Sequence, residues 1–388
     1  MHAAIRFPVL ATLLVLAAPV SAAQETSSFV LTLGSDTTSV EHVTREGSRI
    51  VVDQVGRAPR VMRRHFEYQY AGANLETFLM RVTPAGDTVV TQLVNARVDG
   101  DSLRVTTRAG AAAPRTSSVG FPKGTVMQAM SSPWAIYEQH LMHLMSGKAD
   151  SLTGSQYFLG ADAPGRFTLR KLGRDSVSLT NEHDDVFHIR VDARGHVLGV
   201  LPIAGTGKFA VERVAALDLD ALAAAFLARD QHGAGLGVLS PRDTVRVEGA
   251  GGASLWVDYG RPGKRGREIF GSVVPYGEVW RTGANAATQF RTDKALSFGG
   301  TVVPGGLYTI WALPSRAGWK LMVNSQTGQW GTEHDAAKDI ASIDMKVSTL
   351  PAAVERFTIS VETSAQGGIL NLDWDTTRAA APFTTVAP

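Results

Sequence analysis

Apolar and polar residues alternate along much of the chain with a period of two, which sends every second side chain to one face of a strand. Segments 38–45, 49–55, 76–83, 88–98 and 101–107 alternate or are rich in β-branched residues, and turn residues such as Glu46-Gly47 and Asp99-Gly100 punctuate them. A second group follows at 165–172, 175–181, 185–191, 195–201 and 207–214. One helix interrupts, over 132–146. Ser132 reads as its cap and Pro133 as its first residue, and Trp134, Tyr137, Leu141, Leu144 and Met145 form its apolar stripe before Gly147 ends it. Residues 24–215 therefore predict an antiparallel β domain, a meander or open barrel with one covering helix. A further helix starts at Asp218, places Ala221, Leu222, Ala225 and Phe226 on one stripe, and runs into the Gly-rich His232–Gly237, so 216–237 reads as helix and linker. Beyond it, Leu255, Val257 and Tyr259 alternate, Phe298–Thr301 reads as a hairpin turn, and 307–313, 319–324, 343–348, 357–362 and 369–374 read as strands. Residues 238–378 thus predict a β-sandwich-like domain, with 379–388 as a tail. The fold class expected is mainly β, in two antiparallel β domains.

Composition separates the same two regions. Six of the seven Trp lie after residue 250, whereas only one His, His334, lies beyond residue 232. At the start, Arg6, the apolar run Val9–Val20 and the small residues Ser21-Ala22-Ala23 read as a signal peptide over 1–23. That run is too short to span a bilayer, and no second one follows, so no transmembrane segment is expected in the mature chain. There is no Cys, which excludes a disulfide framework and an N-terminal lipid anchor. Together these features predict a periplasmic or secreted bacterial protein. The formal charge of +2 gives no electrostatic reason for a nucleic-acid partner.

The densest chemistry lies in 261–286, a connection longer than loops without a function usually are. Arg261, Lys264, Arg265, Arg267 and Arg281 stand here against Glu268 and Glu278, with Asn285 as a further donor and acceptor. Guanidinium forks bind carboxylate, sulfate or phosphate, so one reading is an anion or polar-ligand pocket. The competing reading is a loop braced by pairs between Arg267 or Arg281 and Glu268, Glu278 or Asp258. Trp280 and Trp330, both outside strands, offer flat faces for sugar rings; Trp256, Trp311 and Trp374 read as core.

The C-terminal region resembles an uncharacterised exported bacterial family catalogued as domain of unknown function 2911. The resemblance rests on Ser240-Pro241, Tyr259-Gly260-Arg261-Pro262, Gly266-Arg267, Ile269-Phe270-Gly271, Val274–Gly277 and Val279–Asn285, then Val303–Tyr308, Asn324, Trp330-Gly331 and Leu372–Trp374. It departs from the family at Gly305, where Ala is more usual. The resemblance implies a β-sandwich-like exported domain and no established activity.

Other clusters are weaker. No Gly-x-Ser-x-Gly elbow and no His-Glu-x-x-His spacing is present. His140 and His143 lie on one helix face, Glu182–Asp185 reads as a hairpin turn, and Glu333-His334-Asp335 as a solvated loop. No metal or other cofactor is expected. The sequence is best read as a binding or structural module of the cell envelope. Its site would be Arg261, Arg267, Arg281, Asn285, Trp280 and Trp330, for a small polar or anionic ligand, an envelope glycan or a protein. One alternative is a hydrolase of envelope glycans or esters using Glu268 and Glu278 as acid and base. Another is an apolar-ligand carrier built from the N-terminal region.

Overall fold

The structure, a computed structural model, describes residues 24–131 and 133–386. The signal-peptide segment 1–23 and the proposed cap Ser132 lie outside the described residues. The described chain is mainly β and forms two sheets, of fifteen and nine strands.

The larger sheet is two meanders joined at a seam. The first eight strands, Glu25–Leu33 to Arg115–Gly120, pair in chain order. The second meander runs from Ser151–Phe158 to Ala210–Val214, which returns to pair antiparallel with Glu25–Leu33. Val126–Gln128 adds in parallel to Ser151–Phe158 and forms one edge, and Arg115–Gly120 forms the other. These edges do not pair with each other among the described residues, so the sheet is an open, curled structure and not a closed barrel.

A short 3-10 turn, Trp134–Tyr137, leads into helix α1, Glu138–Ser146. Ile136, Tyr137, Leu141 and Leu144 pack into the same core as Phe29, Phe66, Phe167 and Ile189, so the helix covers the inner face as its apolar stripe predicts. Strand Met62–Ala71, which the sequence reading passed over, alternates cleanly: Met62, Arg64, Phe66, Tyr68 and Tyr70 point inward. Helix α2, Leu219–Arg229, starts at Asp218, whose carboxylate accepts from the amides of Asp220 and Ala221 at 3.0 and 2.9 Å. Its buried face is Ala223 and Phe226 flanked by Leu219, Leu222 and Leu227, with Ala221 and Ala225 left exposed. Docking against Val40, Val55 and Val61 selects the larger Leu side chains over the alanines.

The smaller sheet is antiparallel throughout and holds its own core around Phe290, Trp319, Phe357 and Trp374. The segments read as separate strands 343–348 and 357–362 form one continuous strand, Asp339–Thr363. It pairs first with Trp319–Asn324 and then, through irregular register at 349–358, with Gly367–Thr385. That partner runs through most of the expected tail, because Ala379, Ala381 and Phe383 alternate inward and bury against the core. The sheets meet where the turn after Leu33 touches the Arg-rich loop. Ser35 donates its amide to the Arg265 carbonyl at 2.9 Å, and Arg265 pairs with Asp36. Gly34 sits at this contact with φ of 61°, and a Cβ there would overlap the Arg265 carbonyl oxygen.

A cationic cavity between the two sheets

The Arg-rich loop links strands Ala253–Gly260 and Thr288–Thr292 and is pinned by its apolar residues. Ile269, Val274 and Trp280 are buried, Phe270 packs edge-on to Trp319 with ring centres 4.7 Å apart, and Trp280 stacks on Trp374 at 5.8 Å. The loop therefore holds its polar side chains in fixed directions.

Three of its cations are spent on acids. Arg261 donates to Asp243 at 3.0 Å and to the Thr358 hydroxyl at 2.9 Å. Lys264 reaches Asp375 at 2.5 Å, and Arg265 holds Asp36. The other two have no acid partner. Arg267 donates to the carbonyl oxygens of Lys264 and Gly263 at 3.0 and 2.5 Å. Among the described residues Arg281 makes no hydrogen bond or ion pair, and its Nε is enclosed. The bracing pairs with Glu268, Glu278 or Asp258 do not form; Asp258 takes Arg242 instead.

The backbone around Arg281 is strained in a defined way. Thr282 has φ of 47° and Asn285 has φ of 62°, left-handed values that are unusual for a β-branched residue in particular. Thr282 is fully buried. Its hydroxyl donates to the Ile310 carbonyl at 2.8 Å, and its own carbonyl accepts from Thr288 at 2.7 Å. These bonds hold the strain and aim Arg281, a pattern common at binding sites. Gly331 completes the arrangement: a Cβ there would overlap Arg281 Cδ and the Asn285 carbonyl oxygen.

Arg281 and Arg267 line a cavity of ≈ 690 Å3 enclosed by both sheets. The larger sheet contributes Arg64 and Lys208, together with polar groups from Gln128, Tyr137 and Asn181. No Asp or Glu is among the lining residues. Burial pushes Arg281 down to about 10, and it depresses Arg267 and Arg64 as well. Lys208 is lowered by burial first and by the charges of Arg281 and Arg267, and all three cations line the same cavity. Among the described residues, the acid whose charge reaches both Lys208 and Arg281 is Asp185. Its carboxylate is already engaged by the Gly207 amide at 3.0 Å, the Thr206 hydroxyl at 3.1 Å and Asn181 at 3.3 Å. Arg64 belongs to a second polar group. Glu41, Gln54 and Arg64 stand side by side on three adjacent strands, with Arg64 donating to Gln54 at 3.1 Å and Gln54 to Glu41 at 3.0 Å. Glu41 is fully buried, which raises its carboxyl to about 7.

Residues 240–383 match the family described as Protein of unknown function (DUF2911). The DUF2911 region thus contains the whole Arg-rich loop, while Arg64, Lys208 and α1 lie outside it. No curated protein matches the chain. Among solved structures, a beta-barrel-like protein of domain of unknown function DUF1849 from Brucella abortus is similar at 8% identity and a TM-score of 0.34, covering 49% of this chain and 94% of that one.

Of the residues expected at a site, Arg267, Arg281, Asn285 and Trp280 of the DUF2911 region line the cavity. Arg261 does not, because Asp243 and Thr358 hold it away. Trp330 is half-buried and packs near His183 instead, ring centres 6.0 Å apart, and Trp280 is 7% exposed within an aromatic cluster. Glu268 and Glu278 are exposed and outside the lining, so no pair of carboxylates meets there. His334 is bonded to Asp339 at 3.0 Å and packs on Trp311. Among the described residues, no group of three His, Asp or Glu is placed to hold a metal ion. Sequence reading missed Arg64 and Lys208, and took Asp185 only as part of a hairpin turn. Arg64 had a signal, since it occupies an inward position of the alternation Met62-Arg64-Phe66-Tyr68-Tyr70. Lys208 sits in a loop and had none.

Proposed function

We propose that the protein is a binding module for an anionic ligand, held in the cavity between the two sheets by Arg281, Arg267 and Lys208. The observation that carries this reading is Arg281: a guanidinium lining a cavity with no acid in its wall, and with no hydrogen-bond or ion-pair partner among the described residues. A partly desolvated cation with no carboxylate in contact costs stability, and a fixed anion-accepting geometry offsets that cost only when an anion arrives. The Arg-rich loop and the covered inner face of the large sheet, which the sequence offered as separate sites, meet here in one cavity. A hydrolytic reading draws no support from the lining, since it supplies neither a carboxylate pair nor a nucleophile held by a base.

The test is mass spectrometry of small molecules released from natively purified protein. An anionic compound is expected from the wild type and is expected to be lost from the Arg281→Met, Lys208→Met double variant. A neutral compound retained equally by both would overturn the reading. Export is part of the proposal and rests on residues 1–23; N-terminal sequencing of protein from its native cells should find a first residue near 24, and an intact Met1 would refute it.

A further inference from the structure

The cavity is more than an anion cradle. Its wall between the charged groups is apolar, with Ile136, Leu179, Phe187 and Val273 facing inward alongside Trp280. Its mouth carries four large apolar side chains that water reaches freely: Met130 at 67% exposure, Phe158 at 48%, Phe209 at 37% and Val238 at 55%. They come from four separate segments, so no single strand's periodicity accounts for their meeting. Isolated exposed apolar residues are ordinary, but several converging on the rim of one cavity mark a surface that is covered in use.

We propose that the ligand is a single-chain anionic amphiphile: an alkyl or acyl chain ending in a phosphate or carboxylate. The head is held by Arg281, Arg267 and Lys208, and the chain lies along the apolar wall and leaves between Phe158 and Phe209. This deepens the anion-binding reading and rests on it. Three physical points select this class. A small inorganic anion would satisfy the cations but leave most of a cavity of ≈ 690 Å3, and its apolar wall, wet. A neutral apolar ligand would fill the wall but strip water from three cations without replacing it. An amphiphile meets both demands, and the cavity volume lies within the roughly 300–1,000 Å3 typical of small-molecule sites.

The test is calorimetric titration of the full chain with decyl phosphate, inorganic phosphate and decanol, each below its aggregation concentration. Decyl phosphate should bind at least about 1,000-fold more tightly than inorganic phosphate, with affinity rising about fourfold for each methylene from hexyl to decyl. It should bind about tenfold or more tightly than decanol, reflecting lost charge-assisted hydrogen bonds. Inorganic phosphate binding as tightly as decyl phosphate would overturn the amphiphile and leave the anion reading standing. Decanol binding as tightly as decyl phosphate, or no binding by any of the three, would overturn both. Two variants separate the parts. Arg281→Met should abolish the preference for decyl phosphate over decanol and keep the chain-length dependence. The Phe158→Ser, Phe209→Ser variant should flatten the chain-length dependence and leave inorganic phosphate unaffected. The ligand series is read on the wild type, so a variant that fails to fold leaves the test intact. Carboxylate and phosphate heads are distinguished by repeating the series with decanoate.

Discussion

The two ends of one loop carry the same kind of side chain and put it to opposite uses. At the start, Arg261, Lys264 and Arg265 each meet a carboxylate, and the last ties one sheet to the other through Asp36. Further on, Arg267 reaches only backbone carbonyls and Arg281 reaches nothing among the described residues. A guanidinium with an acid is part of the scaffold. One without, held in place by a strained Thr282 and a close-packed Gly331, is kept at the protein's expense. The loop's identity as a dense cluster of arginines therefore says less than the partner of each.

The comparison can be broken experimentally, and the largest expected effect lies on the scaffold side. Arg265→Met should destabilise the protein by about 3 kcal/mol or more in urea unfolding, because it strands Asp36 at the contact between the sheets; a loss below about 1 kcal/mol would show that the pair is not structural. On the facing wall, Glu41 supplies the acid counterpart of an under-compensated cation. Burial raises its carboxyl from 4.5 to about 7, the Gln54 hydrogen bond and the charge of Arg45 oppose the rise, and the nearby Glu138 adds to it. The fold then binds this proton more tightly than the unfolded chain does, so stability from this group falls as pH rises from about 4.5 to about 7. Glu41→Gln should gain about 3 kcal/mol over the wild type at pH 8 and close to nothing at pH 4.5. Equal differences at both values would refute the assignment. Arg281→Met comes next: in ligand-free protein it should raise stability by about 1–3 kcal/mol while weakening anion binding. A destabilisation of the same size would place Arg281 with the scaffold after all. The smallest effect belongs to Arg261→Met, whose pair with Asp243 is partly exposed; about 1 kcal/mol or less should be lost, with ligand binding unchanged.

The fold class was legible because strand alternation and turn residues are local signals. Errors arose where packing chose between equivalent local patterns. In α2 the Ala221 and Ala225 stripe and the Leu222 and Phe226 stripe are both helical, and only docking against Val40 and Val55 separates them. The break read between 348 and 357 is a set of register irregularities inside one strand, which a period-two pattern cannot express. At the site, the loop was visible from its own residues, yet the sequence could not sort Arg261 from Arg281. Their difference lies in Asp243 and Thr358 for one and, for the other, in a packed setting that offers no hydrogen-bond or ion-pair partner among the described residues. Lys208 joins the cluster only through the fold, 59 to 73 positions before the two arginines it faces. Arg64 was readable in principle, as a charge at an inward position of a clean alternation.

The seam of the larger sheet has a consequence for the order of assembly. Each meander is made of neighbouring hairpins, whose pairing closes small loops and forms quickly. Glu25–Leu33, however, finds its second neighbour only in Ala210–Val214, some 180 residues later in the chain. Until that last strand is available, the first presents an unpaired edge, and the halves of the inner face cannot be drawn together over α1. The cavity wall contributed by Leu31 and Leu33 is therefore among the last parts of this sheet to be fixed, and a growing chain cannot offer a complete site before its residues past 214 are free to fold.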